Sequence, residues 1–407
     1  MQVGRLLLKH QVEKRINFSH NASFARILIK AQWGMQAMNS LAGIIRAEAA
    51  QRGSLPFARF MELALYQPGL GYYETRKHGP GRRGDFYTSV SAGELFGQML
   101  AFQFANWLEE IRSAECGVRI VEGGAHDGKL AADILGWLQI HRPKLFDRIE
   151  YVILEASARR REWQKETLKH FASGVRWSSS FQSLLAGTPH SALRTPQVSG
   201  ILFSNELLDA FPVRRFGWDA KDKKWFEWGV AVDGDEFIWA KISHPELPSS
   251  ILHLPSSLLS VLPDGYTIET SPAAENWWRG AAGILARGKL LAIDYGFTAG
   301  GMFSPARPRG TLRAYFRHHA TDDLLANPGE QDLTAHVNFS AIQKAGEDAG
   351  LTTEFFGSQA KFLVDILASA EKDKSLGEWD TKQARQFQTL THPEHLGRTF
   401  RVLVQSR

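Results

Sequence analysis

The sequence predicts an α/β fold in which helices cover both faces of a mostly parallel sheet. Three observations carry this. Short continuous apolar runs occur at residues 118–122, 151–154, 200–203 and 290–293. Each ends on a polar or acidic residue: Glu122, Glu155, Ser204-Asn205-Glu206 and Asp294. Helical periodicity lies between them: Leu130, Ile134, Leu135 and Leu138 repeat at three- and four-residue spacing before Pro143, and a charged helix runs to about Phe171. Runs that are apolar throughout indicate strands buried on both faces, and their alternation with helices indicates βα units on a parallel sheet.

The remaining elements follow in chain order. At 407 residues the chain exceeds a single domain of about 100–200, so a core with a second lobe is expected. Residues 1–37 hold six Lys/Arg (Arg5, Lys9, Lys14, Arg15, Arg26, Lys30) against Glu13 alone. This basic extension resembles a mitochondrial presequence, unless Met35 or Met38 is the true start; it is expected to pack little against the body. Residues 38–115 read as a helical and lid region. Leu41, Ile44 and Ile45, then Phe57, Phe60, Met61, Ala64 and Leu65, mark two helices, and Pro68-Gly69 stops the second. An ordered Gly- and aromatic-rich loop covers residues 71–93, and a long helix carries Leu95, Phe96, Met99, Leu100, Phe104 and Leu108. Residues 116–407 form the core, with an insertion at about 213–280. There Trp218, Trp225, Trp228, Phe237 and Trp239 lie in alternating segments around an Asp233-Gly234-Asp235 turn, which indicates antiparallel hairpins. A helix at about 339–349 should precede the first of two final antiparallel strands, Phe355 to Val364 and Phe400 to Val404.

Composition narrows the function. The net charge of +5 resides in the extension, and the rest of the chain carries equal numbers of acids and bases. A neutral body lacks the basic footprint of a nucleic-acid binder. Cys116 is the one cysteine, so no intramolecular disulfide can form, and a reducing compartment fits. Apolar runs fall well short of the roughly 20 residues that span a bilayer, and no secretory signal is evident. The cytoplasm, or the mitochondrial matrix if the extension is a presequence, is the expected location.

The segment Val121-Glu122-Gly123-Gly124-Ala125-His126-Asp127-Gly128-Lys129-Leu130 joins an apolar run to a helix. Small residues there admit a ligand to the backbone, and the helix N-terminus offers free amides. Glu155, closing the next run, stands where a ribose diol is gripped by a carboxylate. The turn lacks the G-x-G pair of a dinucleotide fingerprint. It fits an acid-x-G-x-G-x-G methyltransferase pattern at Glu122, Gly124 and Gly128, with His126 in place of the middle glycine. S-adenosylmethionine is therefore the expected cofactor, held by Glu122, Gly123, Gly124, Gly128 and Glu155. Asp85, in Gly84-Asp85-Phe86-Tyr87-Thr88-Ser89, is a further candidate for the methionine amine, on a loop able to fold over the cofactor.

The sequence resembles the MidA family, the bacterial and mitochondrial relatives of the complex I assembly-factor arginine methyltransferase. The resemblance rests on Phe57-Ala58-Arg59-Phe60-Met61, Ala64-Leu65-Tyr66, Gly71-Tyr72-Tyr73, Gly84-Asp85-Phe86-Tyr87-Thr88-Ser89 and Phe96-Gly97. It continues in Asn205-Glu206-Leu207-Leu208-Asp209-Ala210-Phe211-Pro212, Ile293-Asp294-Tyr295-Gly296, Gly310-Thr311-Leu312-Arg313-Ala314-Tyr315 and Asp332-Leu333-Thr334-Ala335-His336-Val337-Asn338-Phe339. It covers about residues 54–404. It implies a Rossmann-like class I methyltransferase core with a seven-stranded sheet, S-adenosylmethionine as cofactor, and an arginine of a respiratory complex I subunit, or its bacterial equivalent, as target. Homo-oligomerisation is open.

Asn205, Glu206 and Asp209 are the catalytic candidates. They follow a strand whose carboxyl end faces the ligand crevice. A guanidinium presents paired donors and needs fixed carboxylates, and transfer to it needs orientation and help with proton loss. A second expectation is a binding factor with the same fold and little or no catalysis, which chaperones a partner during assembly. His318, His319 and His336 match no common metal-ligand spacing, and no metal is expected. Trp277-Trp278 and the insertion tryptophans read as core or a protein contact rather than base-stacking platforms.

Overall fold

The structure is a computed structural model that describes residues 40–75, 88–111, 118–186, 198–252, 254–317, 319–373 and 376–407. The extension 1–37, the Asp85 loop, Cys116 and His318 lie outside these residues.

Helix α1 (Leu41–Arg52), capped by the Ser40 hydroxyl on the Gly43 N–H, leads through β1 (Leu55–Pro56) into α2 (Phe57–Tyr66). The long helix α3 spans Leu95–Glu110. Two βα units and a further strand follow: β2 (Val118–Gly123) and α4 (Lys129–His141), β3 (Ile149–Leu154) and α5 (Ala158–Thr167), then β4 (Val175–Ser178). Strand β5 (Val198–Asn205) opens into β6 (Arg214–Asp219), β7 (Lys224–Asp233), β8 (Glu236–Ile242) and β9 (Thr267–Thr270). Helix α6 (Pro272–Ile284) returns to the core strand β10 (Leu285–Phe297). The chain continues through β11 (Arg313–Phe316), β12 (His319–Thr321), β13 (Asp332–Thr334), β14 (Val337–Asn338) and α7 (Phe339–Asp348). It closes with β15 (Thr352–Ser358), α8 (Gln359–Asp373), α9 (Thr381–Thr391) and β16 (Phe400–Ser406).

The large sheet runs β15-β16-β10-β5-β2-β3-β4, with β14 added beside β10. Strands β4, β3, β2, β5 and β10 are parallel, and β16 is antiparallel to both β10 and β15. Alternate residues of the apolar runs separate onto two faces. Ile120, Ile201, Phe203, Leu291 and Ile293 pack beneath α3, α4 and α8. Val121, Leu202, Leu290 and Ala292 pack against α6 and α7. Burying each such large side chain stabilises the fold by about 1.5–3 kcal/mol relative to exposure. The mostly parallel seven-stranded sheet expected from the sequence is present.

One expected strand needs correction. Residues 359–364, expected to extend the strand from Phe355, open helix α8. Phe362, Leu363, Ile366 and Ala370 are buried at helical spacing, a period that overrides the β-favouring Phe355-Phe356 pair before it.

The insertion forms the expected antiparallel hairpins, in the order β1-β7-β6-β9 with β8 on β7. Strand β1 comes from the N-terminal region and pairs with β7 at Leu55–Val230. Leu41, Ile45, Phe57, Phe60 and Met61 share one apolar cluster with Val213, Val230, Leu312 and Leu333. The N-terminal helices and the insertion are thus one lobe, which sits beside the carboxyl ends of the core strands and carries Tyr66 and Tyr73 to them.

Candidate active site

The turn after β2 is shaped by what presses on it. Gly124 (φ 72°) and Gly128 (φ 85°) adopt left-handed backbone. A Cβ on Gly124 would lie 2.7 Å from Leu207 Cδ1, and one on Gly123 would lie 2.5 Å from Trp277 Cζ2. Only glycine lets Leu207 after β5 and Trp277 on α6 approach this closely. His126 is left-handed as well (φ 47°), and its carbonyl accepts from Gln164 Nε2 at 3.0 Å. Asp127 Oδ1 accepts from the Lys129 N–H at 3.1 Å and so caps α4. Burial works against the Asp127 charge, but hydrogen bonds from His126 and Lys129 win and hold its pKa below the usual value.

The two acids expected to hold the cofactor are placed differently. Glu155 follows β3 and is 2% exposed. It accepts from the Ser157 N–H (2.9 Å) and Gln164 Nε2 (3.2 Å), and it pairs with Arg160 Nη2 (3.1 Å). Gln164 thereby ties the glycine turn to this acid. Glu122 shares the sheet face of Ile120, beneath α3 and α4, where Tyr151 Oη donates to its Oε2 at 2.8 Å. Burial pushes its pKa up to about 8. Glu122 supports the turn from below, while Gly123, Gly124, Gly128 and Glu155 gather at the strand ends.

Beyond β5 the chain makes a tight turn. Glu206 takes φ 51°, and its N–H donates to the Ile293 carbonyl at 2.9 Å. Asp294 Oδ2 accepts from the N–H groups of Leu207 (3.2 Å), Leu208 (2.8 Å) and Asp209 (3.4 Å), and Oδ1 accepts from Tyr295 N–H (2.8 Å). One carboxylate from β10 therefore organises the whole Asn205 to Asp209 segment. Asn205 Nδ2 donates to Glu206 Oε1 at 3.2 Å. Asn205 Oδ1, Glu206 Oε2 and Ser204 Oγ are buried without a hydrogen-bond partner.

The electrostatics of this end are acidic. Burial and then the neighbouring Asp209 raise the Glu206 pKa to about 8, against the opposing Asn205 amide and Ser89 backbone N–H. Burial, Asp294 and Asp332 push Asp209 well above the carboxylate range. Asp294 is raised by burial and by Glu206. Two tyrosines close the group: Tyr66 Oη donates to the Ala210 carbonyl and Tyr73 Oη to Asp332 Oδ1, both at 2.8 Å. Burial raises the Tyr66 pKa, and Arg160, Asp332, Asp209 and Glu155 act on its hydroxyl in addition. Sequence reasoning gave no role to Tyr66, Tyr73, Arg160, Gln164 or Asp332. The tyrosines and Asp332 stood in the family motifs, which was the available signal.

His336 stacks on Phe297 (centroids 4.9 Å apart), and burial lowers its pKa to about 4, so it is a neutral packing group. Among the described residues no three His, Cys, Asp or Glu side chains gather as metal ligands, and no helix is long and apolar enough to cross a membrane. Trp278 is fully buried and donates to Gln405 Oε1 at 2.8 Å. The strand-end residues fit an adenosyl cofactor: a glycine turn entering a helix N-terminus, a carboxylate on the neighbouring strand, and an unpartnered amide oxygen at Asn205.

Comparison with known proteins agrees with this geometry. Residues 99–357 match the family described as putative S-adenosyl-L-methionine-dependent methyltransferase. The chain is 27% identical over 392 residues to the mitochondrial protein arginine methyltransferase NDUFAF7 homologue of Drosophila melanogaster, covering 89% of this chain and 84% of that one. It is 26% identical over 373 residues to mitochondrial NDUFAF7 of Homo sapiens, covering 86% and 79%. A Burkholderia thailandensis protein crystallised with S-adenosyl-homocysteine superposes with a TM-score of 0.74 at 34% identity, covering 90% of this chain and 92% of that chain.

Proposed function

The chain belongs to this family of S-adenosyl-L-methionine-dependent methyltransferases, and from that premise we propose that it methylates an arginine side chain of a protein. The observation that carries the acceptor is the incompletely partnered carboxyl of Glu206, whose buried Oε2 lies within an acidic group with Asp209 and Asp294. A guanidinium supplies the missing donors and the opposing charge together.

The cofactor supplies an electrophilic methyl group on a sulfonium. Gly123, Gly124, Gly128 and Glu155 bind it. Glu206 grips the guanidinium with two parallel hydrogen bonds and points one nitrogen along the transfer axis, where alignment sets the rate. With its pKa raised to about 8, Glu206 is also a better proton acceptor than an ordinary carboxylate. Asn205 orients Glu206 through its amide, Asp294 fixes the segment, and Asp209 behind it helps raise the Glu206 pKa. Asp85 remains a candidate for the methionine amine. A subunit of respiratory complex I, or its bacterial equivalent, is the proposed protein partner, as the family resemblance implies; the relatives' names support a protein acceptor.

The test is transfer of a labelled methyl group to host lysate proteins, followed by peptide mass mapping. Label on arginine is expected. Label confined to small metabolites would overturn the acceptor, and S-adenosylhomocysteine binding without any transfer would favour a non-catalytic assembly factor.

A further inference from the structure

Arg160 carries a donor that the fold does not use. It lies in the first turn of α5, five residues after Glu155, and its backbone N–H is taken by the Ser157 cap at 3.1 Å. Its side chain is 16% exposed. One end of the guanidinium, Nη2, pairs with Glu155 Oε1, and Cζ sits 5.8 Å from the Tyr73 ring centroid. Yet Nε is buried and has no hydrogen-bond partner. Leaving such a donor dry is costly unless an acceptor arrives. The surroundings limit what that acceptor is. Glu155 Oε1 already serves two donors and Oε2 serves Gln164, so the acid has spare lone pairs but offers nothing as a donor. A hydroxyl suits both needs, because it donates to Glu155 and accepts from Arg160 with the same oxygen. A vicinal diol places two such oxygens on one side of a ring.

We propose that Arg160 is a cofactor-binding residue whose Nε–H donates to a ribose hydroxyl oxygen of the cofactor, completing with Glu155 a donor–acceptor clamp on the sugar. This rests on the reading of Glu155 as the ribose acid. The clamp reads hydroxyl groups by reciprocity: Glu155 accepts the hydroxyl proton while Arg160 supplies a proton to the same oxygen. The Tyr73 face holds the guanidinium plane in place through its ring quadrupole. Tyr73 in turn donates to Asp332, so the sugar clamp and the acceptor-side acids share one chain of side chains.

The experiment measures affinity without turnover, by calorimetry of the full-length protein with S-adenosylhomocysteine and its 2′-deoxy and 3′-deoxy analogues. Wild type should prefer the full ribose over one analogue by about ten- to a hundredfold, the range for one charge-assisted hydrogen bond. Arg160→Met keeps the stem and removes the guanidinium, and it should reduce that preference to about threefold or less. Arg160→Lys keeps the charge within reach of Glu155 but has no Nε fork; it should fold and also lose the preference, which guards against a misfolded Met variant. If either folded variant weakens all three ligands by one common factor, Arg160 does not read a ribose hydroxyl, and the proposal fails. An unchanged preference in both also overturns it. Glu155→Gln separates the underlying reading: loss of preference there with none at Arg160 sinks the Arg160 role alone. Retention at Glu155 with loss at Arg160 sinks the Glu155 role and with it the two-residue clamp, leaving Arg160 as a lone donor to the sugar.

Discussion

Glu155 and Glu206 both follow parallel core strands at the carboxyl end of the sheet, yet their surroundings differ. Glu155 accepts from a backbone N–H, an amide and a guanidinium, so both of its oxygens are engaged within the fold. Glu206 has the Asn205 amide on Oε1, the Ser89 N–H beside its carboxyl, an Oε2 without a well-aligned partner, and Asp209 and Asp294 as neighbours. The first acid is fully engaged within the fold and is the proposed acceptor for ribose hydroxyl groups. The second is left short of positive charge. A buried polar atom without a partner costs about 1–3 kcal/mol, and a charge costs more, so the acceptor end carries an instability that a bound cation relieves.

The largest expected effect comes from removing that charge demand. Glu206→Gln keeps size and one acceptor, and it should lower methyl transfer by about 10²-fold or more, because a misaligned nitrogen is costly in displacement at a methyl group. S-adenosylhomocysteine affinity should stay within about threefold. Equal transfer rates in variant and wild type, measured on the true acceptor, would end the distinction between the two acids.

Next in size is a substitution that forces the two ends apart. Gly124→Val puts a branched side chain at φ 72°, on a Cβ path only 2.7 Å from Leu207 Cδ1. Backbone strain and overpacking together should cost about 3 kcal/mol. Because Leu207 belongs to the segment that carries Glu206, both cofactor affinity and transfer should fall. A melting temperature within about 2 °C of wild type would mean that the glycine turn and the acceptor segment are not packed as described.

Those two ends were unequally legible in the sequence. Continuous apolar runs ending in acids marked strands β2, β3, β5 and β10, because a strand buried on both faces has no polar alternation to hide its length. The same feature hid the direction of Glu122: with no exposed face to phase the run, its position under α3 and α4 could not be read. Asp294 was visible as a strand-end acid, but its part in gathering four backbone N–H groups depends on β5 and β10 lying side by side. Tyr73 and Arg160 meet only because the N-terminal lobe packs against core helix α5, a contact between segments far apart in the chain. The helix at Gln359 was missed because a local aromatic pair outweighed a longer helical period.

A pH series sharpens the contrast. The Glu206 pKa is raised from 4.5 to about 8 in the fold. The fold therefore prefers the protonated acid. That contribution is fully present below about pH 4.5 and is lost as pH rises through about 8. Glu206→Gln cannot ionise, so without ligand it should match wild type near pH 4.5 and exceed it by about 4 kcal/mol near pH 8.5. At pH 7 an arginine-containing acceptor peptide should release a proton from Glu206 on binding, seen as a calorimetric heat that depends on the buffer's ionisation enthalpy. A constant stability difference between variant and wild type across this range would remove the buried-acid account of Glu206.

The smallest expected effect is at His126, where the methyltransferase pattern places a glycine. Its φ of 47° costs a branched-at-Cβ residue dearly but histidine only about 1 kcal/mol, and glycine nothing. His126→Gly relieves that strain. It also frees the unfolded chain, which offsets the gain by roughly 0.4–1 kcal/mol. The imidazole lies 3.7 Å from Asp127 Oδ1 and helps hold that acid below its usual pKa, a further small loss on replacement. The contact that ties the turn to α5 uses the backbone carbonyl of residue 126, accepting from Gln164, and glycine keeps it. Stability should therefore move by no more than about 0.5 kcal/mol, and S-adenosylhomocysteine affinity by no more than about threefold. If affinity instead fell tenfold while the melting temperature held, the imidazole itself would be a ligand group. The cofactor end would then depend on a side chain in the turn, and its likeness to a finished, backbone-defined site would be broken.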